Sequence, residues 1–345
     1  MNVVFRADAS IFIGTGHVMR CLSLADALKS RGAECHFICN QDTGHALDLI
    51  RLRGHAAYAL PGDECCAPGA DFSEDAAQTR VIVSKLNADW LIVDHYLLGQ
   101  EWECQIRSAV RKLLVIDDLG RAHQCDVLLD QNFHNPIHAR YRQTLASDTQ
   151  LLLGSEFALL RPEFATLRVP ALQRRNGSLS RLLVSMGGSD PDNETNKVLT
   201  GLGAGWQAEW TLDVVVGSSN PHRSCVAEAC RRLPNARLHV QAANMAELML
   251  AADCAISAGG GTTWERCCLG LPALVTVVSN DQLAIAEAVA QAGAQVLLGG
   301  NSDLAARDYA KSIAALTPVG LREMSRAAAA ICDGRGAERV AARLQ

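Results

Sequence analysis

The sequence has no uninterrupted apolar run of the ~18 residues that a membrane-spanning helix needs. It also has no long block of basic residues: 32 Lys and Arg stand against 37 Asp and Glu, and the net charge is −5. These absences argue against a membrane protein and against a nucleic-acid binder that neutralises phosphates. An arginine and an aspartate lie within the first eight residues, so no signal peptide is predicted and we expect a cytoplasmic protein.

Cysteine is abundant, but the spacing that would give it a metal or redox role is missing. The 13 cysteines include no C-x-x-C pair, and Cys65–Cys66 and Cys267–Cys268 are adjacent pairs, which rarely share one metal or one disulfide. Cys35, His36 and Cys39 are possible metal ligands that lack a second ligand pair. We therefore expect free thiols that serve as small apolar residues in a reducing compartment, and no metal site.

The chain is too long for one ordinary core, because 345 residues exceed the usual size of a single domain. Apolar residues make up 49% of it, which indicates a globular protein. Short apolar runs alternate with helical patterns, the clearest helix being Val18–Arg31 with Gly32 at its end. The strands predicted in the first half are Val3–Arg6, Glu34–Cys39, Ala56–Leu60, Trp90–Asp94, Leu113–Asp117 and Val127–Asp130.

A change of pattern after Leu151 indicates a second domain. Pro170 and the polar run Gln173–Ser180 predict a linker, and helical spacing covers the Ala- and Arg-rich Gly320–Gln345. We predict domains at residues 1–172 and 173–320, followed by a C-terminal helix at 321–345. The second series of strands is Arg181–Ser185, Thr211–Val216, Ala236–Val240, Cys254–Ser257, Pro272–Val277 and Ala294–Leu298.

This alternation of strands and helices is typical of parallel, doubly wound sheets. The predicted fold class is therefore α/β, with two Rossmann-like domains that face each other across a substrate cleft. Ligands of such folds bind beyond the carboxyl ends of the strands, so the turns that follow predicted strands are the places to look for a site.

The first such turn is Gly14-Thr15-Gly16-His17. It lacks the third glycine of a G-x-G-x-x-G dinucleotide turn, and no acidic residue ends the second strand to hold a ribose. Gly14 and Gly16 leave room beside the chain for a bound sugar and water. The residue types leave His17 open as a catalytic group, a ligand contact or a polar residue at a helix start.

The second turn is VSMGGSD, in which Gly187, Gly188 and Ser189 follow a strand. Glycine lets backbone N–H groups approach an anion, and a helix from about Asn193 would point its positive end at the same place. The pattern favours a phosphate contact over a tight turn without a ligand.

The third turn lies in ISAGGGTTWE, where Gly260, Gly261 and Thr262 open a helix that carries Glu265. A carboxylate offers two acceptor oxygens and suits both hydroxyls of a ribose. The alternative is a capping-box glutamate that reaches back to the start of its own helix.

Three further segments carry polar side chains. Asn280, Asp281 and Gln282 lie between a strand and a helix, either as sugar ligands or as a helix cap. The strand in LIVDHY ends at Asp94 and is followed by His95 and Tyr96, which we expect beside the substrate of His17. In FHNPIHARY, His134 and His138 have the i, i+4 spacing of helical metal ligands, but Pro136 between them favours a loop.

Taken together, FRADASIFIGTGHVMRCLSLADAL, LIVDHY, LLGSEFALLRPEF, VSMGGSDPDN and ISAGGGTTWE resemble the PseG family. These enzymes are UDP-2,4-diacetamido-2,4,6-trideoxy-β-L-altropyranose hydrolases of pseudaminic acid biosynthesis. The resemblance runs through nearly the whole chain in the right order. More distantly, the pattern is similar to the GT-B glycosyltransferases, including the MurG group.

The resemblance implies hydrolysis of a UDP-sugar to UDP and the free sugar, by one displacement with inversion and without a metal or cofactor. It makes His17 the general base, assigns a catalytic role to Tyr96, and places uridine against Gly187–Ser189 and Glu265. Trp264 stands where some relatives carry Asn, and Asn280-Asp281-Gln282 matches the family's Asn-Gln pair only loosely. The residues that the resemblance and the turns together assign to substrate binding are Gly14, Gly16, Asp94, Gly187, Gly188, Ser189, Gly260, Gly261, Thr262, Glu265, Asn280 and Gln282.

Physical chemistry agrees with that role for His17. A free histidine with a pKa of ~6.5 is mostly neutral at pH 7, and we expect the helix N-terminus to lower that pKa further. A neutral ring can take a proton from the attacking water, while the glycine turn takes up charge on the leaving UDP. Asp8 either orients His17, as a third catalytic residue, or caps the turn.

Other functions stay open. The chain is alternatively a GT-B glycosyltransferase, a hydrolase of another UDP-amino sugar, or a protein that binds a nucleotide-sugar without turning it over. The segment Pro61–Ser73 lacks the apolar docking patch that membrane-associated transferases often have. We expect a monomer or weak dimer with a UDP-sugar as its partner, and no contact with nucleic acid or membrane.

Overall fold

The structure is a computed structural model that describes residues 1–61, 71–133, 140–141, 144–203 and 206–345. The chain forms two units, residues 1–161 with 335–345 and residues 162–334. Cys65, Cys66, His134, Pro136 and His138 lie outside the described residues, as does most of the segment 61–73. Across the part that is described, no helix is long and apolar enough to cross a membrane.

The first unit contains a parallel sheet in the order β3-β2-β1-β4-β5-β6-β7. Both faces are covered: Val3 and Phe5 pack in one apolar cluster, and Val4 packs in the other. Parallel strands buried on both faces are nearly continuous apolar runs, which is why they stand out in the sequence. The strands are β1 Asn2–Ala7, β2 Glu34–Asn40, β3 Ala56–Leu60, β4 Trp90–Asp94, β5 Lys112–Ile116, β6 Val127–Asp130 and β7 Gln150–Leu153.

The second unit repeats this plan with a parallel sheet in the order β10-β9-β8-β11-β12-β13. Two doubly wound sheets are thus confirmed. The predicted strands are found, with β13 shifted by two residues at each end, while β7 of the first unit was not predicted. The strands are β8 Arg181–Ser185, β9 Thr211–Val216, β10 Ala236–Val240, β11 Cys254–Ala258, β12 Ala273–Val277 and β13 Val296–Gly300.

Helices connect the strands, and apolar residues on their inner faces close the cores. In the first unit they are α1 Gly16–Lys29, α2 Leu47–Leu52, α3 Ser73–Lys85 and α4 Gln100–Ile106. In the second unit they are α5 Pro162–Arg174, α6 Glu194–Gly203, α7 Arg223–Arg231, α8 Met245–Ala251, α9 Thr262–Cys268, α10 Leu283–Gln291, α11 Ala306–Ala314 and α12 Pro318–Ile331. The helix α13, Gly336–Arg343, belongs to the first unit.

The predicted linker at Pro170 and Gln173–Ser180 is wrong, because Pro170 lies inside α5. Arg168 donates hydrogen bonds to the carbonyls of Cys268, Ala329 and Cys332 at 2.6–2.8 Å. Arg175, just after α5, donates to Met249, Ala252 and Leu269. These bonds satisfy carbonyls at helix ends and hold α5 on the second unit, which offsets the one helical bond that a proline removes.

The predicted boundaries differ from the two units for the same reason. A boundary after residue 172 falls inside α5, which belongs wholly to the second unit. The predicted C-terminal helix at 321–345 is two helices, α12 in the second unit and α13 in the first. They are separated at Gly334, whose φ of +82° is open to glycine and whose added Cβ would lie 2.7 Å from Cys268 Sγ.

In each unit the chain reverses its direction across the sheet at one pair of neighbouring strands. In the first unit these are β1 and β4, and in the second unit they are β8 and β11. The loops that follow two such strands separate on opposite faces of the sheet and leave a crevice, where doubly wound folds bind ligands. The turns singled out in the sequence follow these four strands and β12.

Below the carboxyl end of β5 lies a buried cluster of charged side chains. His123 is fully buried, with Nδ1 2.6 Å from Glu103 Oε1 and Nε2 3.5 Å from Asp117 Oδ1. Burial lowers the pKa of His123, but the bonds to Asp117 and Glu103 outweigh it and raise that pKa to about 9. Asp117 in turn accepts the N–H groups of Leu119 and Gly120 and so fixes the loop after β5.

Two helices of the second unit approach so closely that the contact requires glycine. A Cβ at Gly201 in α6 would lie 2.0 Å from the carbonyl oxygen of Ala306 in α11, whereas Gly203 faces open space. We expect Gly201→Ala to lower the free energy of unfolding by about 2 kcal/mol, since α6 must move off α11. Gly203→Ala, in the same helix, is the matched control and is expected to be neutral. Equal chemical-denaturation midpoints for the two variants would contradict this packing.

The raised pKa of His123 predicts a pH-dependent stability. The unfolded histidine titrates near ~6.5, so the stabilisation is complete below that pH and is lost as pH rises through 9. We expect His123→Gln to cost up to about 3 kcal/mol near pH 6, with a gap that narrows by pH 9.5. Urea unfolding at several pH values measures it. His36, whose pKa burial lowers, gives a control variant without such a slope above pH 6.5; a parallel slope for both variants would refute the assignment.

Candidate active site

The carboxyl ends of β1 and β4 bring His17 next to a carboxylate from a distant part of the chain. Ala7 and Asp94 are cross-strand neighbours in the register, and His17 is the second residue of the helix that follows β1. His17 Nδ1 lies 2.6 Å from Asp94 Oδ1. The ring is 12% exposed and Asp94 is fully buried, so one edge of the histidine is held and the rest faces outward.

Arg20 completes this contact from the next turn of α1. Its Nε donates to Asp94 Oδ2 and its Nη2 donates to Asp94 Oδ1, both at 2.6 Å. Its Nη1 lies 3.4 Å from Asp118 Oδ2. Such a two-pronged bond to a carboxylate is the strongest ion-pair geometry available to arginine.

These charges decide which nitrogen of His17 carries the proton. Burial alone would raise the pKa of Asp94, but Arg20 and His17 hold it far below its usual range, so Asp94 is ionised. An ionised carboxylate 2.6 Å from Nδ1 requires a proton on Nδ1. The hydrogen-bond network therefore assigns the Nδ1–H tautomer, which leaves the lone pair of Nε2 free to accept a proton.

Tyr96 lies against the same histidine. The two ring centroids are 4.6 Å apart and the rings are nearly perpendicular, at 87°. Burial, together with Asp118, raises the pKa of Tyr96, so its hydroxyl stays protonated at neutral pH. Arg121 fixes the backbone here by donating to the carbonyls of Tyr96, at 2.5 Å, and of His95, at 3.2 Å.

Asp8 does not orient His17, as one of the two predictions for it held. Its Oδ1 accepts from Arg6 at 2.5 Å and from the N–H of Asn40 at 2.7 Å, while its Oδ2 lies 3.2 Å from His95 Nε2. Each strand thus supplies one carboxylate to a histidine that follows the other strand. Asp94, predicted to bind substrate, holds His17 instead, because both of its oxygens are occupied inside the protein.

His95 is less suited than His17 to accept a proton. Its Nε2 faces Asp8, and its Nδ1 accepts the N–H groups of Leu97 and Leu98 at 3.1 and 3.2 Å. Both ring nitrogens are therefore used to hold the loop that carries Tyr96. Of these two histidines beside β1 and β4, His17 has the uncommitted nitrogen.

Space beside His17 comes from the glycine turn. Gly14 has a φ of +72° and donates its N–H to the carbonyl of Ser10. A Cβ at Gly14 or Gly16 would meet no atom within 4 Å. The turn is therefore open on the side where these glycines lie, which is compatible with the predicted room for a sugar and a water.

In the second unit, Gly187, Gly188 and Ser189 form an exposed turn after β8, with Gly187 at a φ of +97°. The expectation that the helix N-terminus also points at an anion is wrong. Asp190 is buried and accepts the N–H groups of Glu194 and Thr195 at 2.8 and 3.0 Å. The helix end is already capped, and an anion can use only the turn itself.

The glycine turn after β11 is held by Gln282. Its Oε1 accepts the N–H of Gly259 at 3.2 Å and of Val278 at 3.3 Å, which ties the turns after β11 and β12 together. Gly260 lies against Gln282 Nε2, and Gly261 faces open space. Gln282 therefore positions the glycine turn, a structural role that the predicted sugar contact did not include.

The remaining predicted residues of the second unit lie around this turn. Thr262 begins α9 and Glu265 is half-buried one turn later. Asn280 is exposed after β12. Trp264 is 1% exposed and packs inside the unit, so it presents no surface to a ligand.

Sequence reasoning missed Arg20, Asp118 and Arg121. Arg20 is three residues after His17 in a predicted helix, and this spacing places two side chains on one face, so the signal was present. Asp118 and Arg121 follow β5 and reach the site only through the order of strands in the sheet. Metal ligands were examined as well: within the described ranges, no group of three or more His, Cys, Asp or Glu is placed to hold a metal ion.

Comparison with known proteins places this chain among enzymes and proteins of sugar metabolism by similarity. No protein-family model matches it. It is 29% identical over 310 residues to the spore coat polysaccharide biosynthesis protein SpsG of Bacillus subtilis, covering 87% of this chain and 84% of that one. It is 26% identical over 250 residues to the UDP-2,4-diacetamido-2,4,6-trideoxy-β-L-altropyranose hydrolase of Campylobacter jejuni, covering 72% and 81%.

Solved structures define the fold. The MurG structure of Acinetobacter baumannii matches with a TM-score of 0.72 at 16% identity, over 100% of this chain and 99% of that one. The UDP-GlcNAc 2-epimerase of Neisseria meningitidis matches with a TM-score of 0.66 at 14% identity, over 100% and 99%. With parallel sheets of seven and six strands in its described residues, the chain has the two-domain GT-B fold of MurG and is distantly homologous to the Campylobacter hydrolase.

Proposed function

We propose that this protein hydrolyses a UDP-sugar, and that the substrate is UDP-2,4-diacetamido-2,4,6-trideoxy-β-L-altropyranose, in pseudaminic acid biosynthesis. The observation that carries the proposal is the His17–Asp94 pair, whose geometry leaves Nε2 of a histidine free beside an open glycine turn. The similarity to the Campylobacter hydrolase supports the choice of substrate.

The proposed reaction is one displacement at the anomeric carbon. His17 Nε2 takes a proton from water as the water oxygen bonds to that carbon, and the bond from the carbon to the diphosphate oxygen breaks, with inversion. Asp94 accepts the Nδ1–H bond throughout and stabilises the imidazolium that forms. Tyr96, neutral and packed on the ring, keeps the imidazole in place and offers a hydroxyl to the sugar.

The proposed nucleotide ligands come from the second unit. The N–H groups of Gly187 and Gly188 and the hydroxyl of Ser189 take the charge that grows on the leaving diphosphate. Glu265 binds the ribose hydroxyls, and Gly260, Gly261 and Thr262 let the nucleotide approach the turn. Asn280 is a proposed hydrogen-bond partner of the sugar. The scheme uses neither a metal nor a cofactor, and we propose that a monomer or weak dimer carries it out.

A second candidate is transfer of the sugar to an acceptor other than water. It is favoured by the fold match to MurG and to the spinosyn rhamnosyltransferase SpnG, which has a TM-score of 0.65 at 17% identity. Both reactions need the same base and leaving group. They differ in whether turnover proceeds with water alone, which a reaction without added acceptor decides.

Replacement of His17 tests the base. We expect His17→Asn to lower kcat by about 10²- to 10⁴-fold, because the group that takes the proton is gone, with UDP binding unchanged. UDP release and calorimetric titration with UDP measure the two quantities. His36→Gln, on β2 next to Tyr58, is the control with wild-type turnover. Full activity of His17→Asn would refute the assignment.

The substrate and the bond that breaks are tested together. Incubation with a panel of UDP-diacetamido sugars in ¹⁸O-water, followed by NMR and mass spectrometry, is expected to place one label in the released sugar. Label in UDP would mean attack at phosphorus and would overturn the mechanism. Turnover of a different UDP-amino sugar only would replace the proposed substrate.

Glu265 tests the nucleotide site. We expect Glu265→Gln to weaken UDP binding by about tenfold, because one charged acceptor for a ribose hydroxyl is lost. The effect should be much smaller for 2′,3′-dideoxy-UDP, which lacks those hydroxyls. Glu287→Gln, on the exposed face of α10, is the matched control. Equal loss for both nucleotides would mean that Glu265 acts elsewhere than at the ribose.

A further inference from the structure

Arg20 is the residue on which the ionisation of the candidate base depends most directly. It lies three residues after His17 on α1, is 13% exposed, and bonds to both oxygens of Asp94. Its Nη2 is also 3.3 Å from His17 Nδ1. A positive charge thus lies beside the ring, on the edge opposite to the nitrogen that would accept a proton.

The three outward nitrogens of the guanidinium all face carboxylates of the protein. Nε and Nη2 bond to Asp94, and Nη1 faces Asp118. The charge of Arg20 is therefore committed within the cluster. This arrangement suits the positioning of other groups better than the binding of a substrate anion.

Removing the arginine would leave Asp94 buried without its cation. A buried carboxylate in that state either takes up a proton or draws a second proton onto the neighbouring imidazole. Protonated Asp94 no longer requires the hydrogen on Nδ1, and a doubly protonated His17 has no lone pair on Nε2. Either outcome disables the base.

We propose that Arg20 is a positioning residue that keeps His17 in the neutral Nδ1–H form by holding Asp94 ionised and by placing a cation beside the ring. The inference rests on the proposed role of His17 as general base. The other groups that face this cluster are Tyr96 and Asp118 on the loops after β4 and β5, and the pair Asp8–His95, whose members contact each other.

The test uses Arg20→Met, which removes the charge, and Arg20→Lys, which keeps the charge but not the two-pronged bond. Arg53→Met, which breaks a similar ion pair with Asp26 in the same unit, is the control. Long-range ¹H–¹⁵N NMR of the His17 ring reports tautomer and protonation without any substrate. Steady-state kinetics with the UDP-sugar give kcat and KM from pH 5 to 9.

We expect wild-type His17 to show the Nδ1–H form at pH 7.5. In Arg20→Met the ring should lose that single form, and the acid limb of the kcat profile should move up by about one pH unit. Its kcat at pH 7 should fall at least about tenfold while KM stays within about threefold, because one pH unit corresponds to a tenfold change in the active form. Arg20→Lys should restore the acid limb in part, and Arg53→Met should match wild type.

Unchanged ring signals and an unchanged pH profile in both Arg20 variants would overturn the inference. So would a large rise in KM at constant kcat, which would make Arg20 a substrate ligand. If Arg20→Met does not fold, Arg20→Lys carries the test alone, since wild-type ring signals and kinetics in it would equally exclude a need for the two-pronged bond. Absence of UDP-sugar hydrolysis in the wild type would refute the proposed function, whereas the NMR comparison would still decide the role of Arg20.

Discussion

The buried carboxylate of Asp94 is the constraint on which the arrangement of the first unit's site depends. Burying an ionised group costs several kcal/mol unless its charge and its lone pairs are satisfied. Asp94 meets that cost with Arg20 and His17, two side chains on one face of α1. The first turn of α1 is therefore fixed to the end of β4 by the same contacts that set the histidine tautomer. Folding of this region and preparation of a proton acceptor are one event.

A second histidine and carboxylate, His95 and Asp8, lie at the same two strand ends but have a different role. Arg6 neutralises Asp8, and the loop after β4 uses both nitrogens of His95. The two pairs differ in one respect that matters for chemistry, which is whether a ring nitrogen remains uncommitted. Composition and spacing cannot make that distinction, because it is decided by backbone N–H groups of the loop.

Much of the fold could be predicted from the sequence, since strands buried on both faces appear as apolar runs and glycines mark the turns after them. The candidate base was also predictable from its turn, whereas its partner was not. Asp8 is near His17 in sequence, but the register that pairs Ala7 with Asp94 brings a residue from 77 positions away to the ring. Pro170 misled for a similar reason: the contacts of Arg168 and Arg175 with distant helix ends outweigh a local propensity.

The second unit shows how a capping side chain changes the electrostatics of a glycine turn. Asp190 occupies the N–H groups at the start of α6, so the partial positive charge of that helix end is spent on a carboxylate of the chain. A diphosphate at the turn would meet the N–H groups of Gly187 and Gly188 with that carboxylate nearby but already hydrogen-bonded. Its binding would then rest on directional hydrogen bonds at the turn and on the ribose contact of Glu265. A diphosphate held in this way, without an opposing fixed cation among these contacts, is suited to leave once its bond to the sugar has broken.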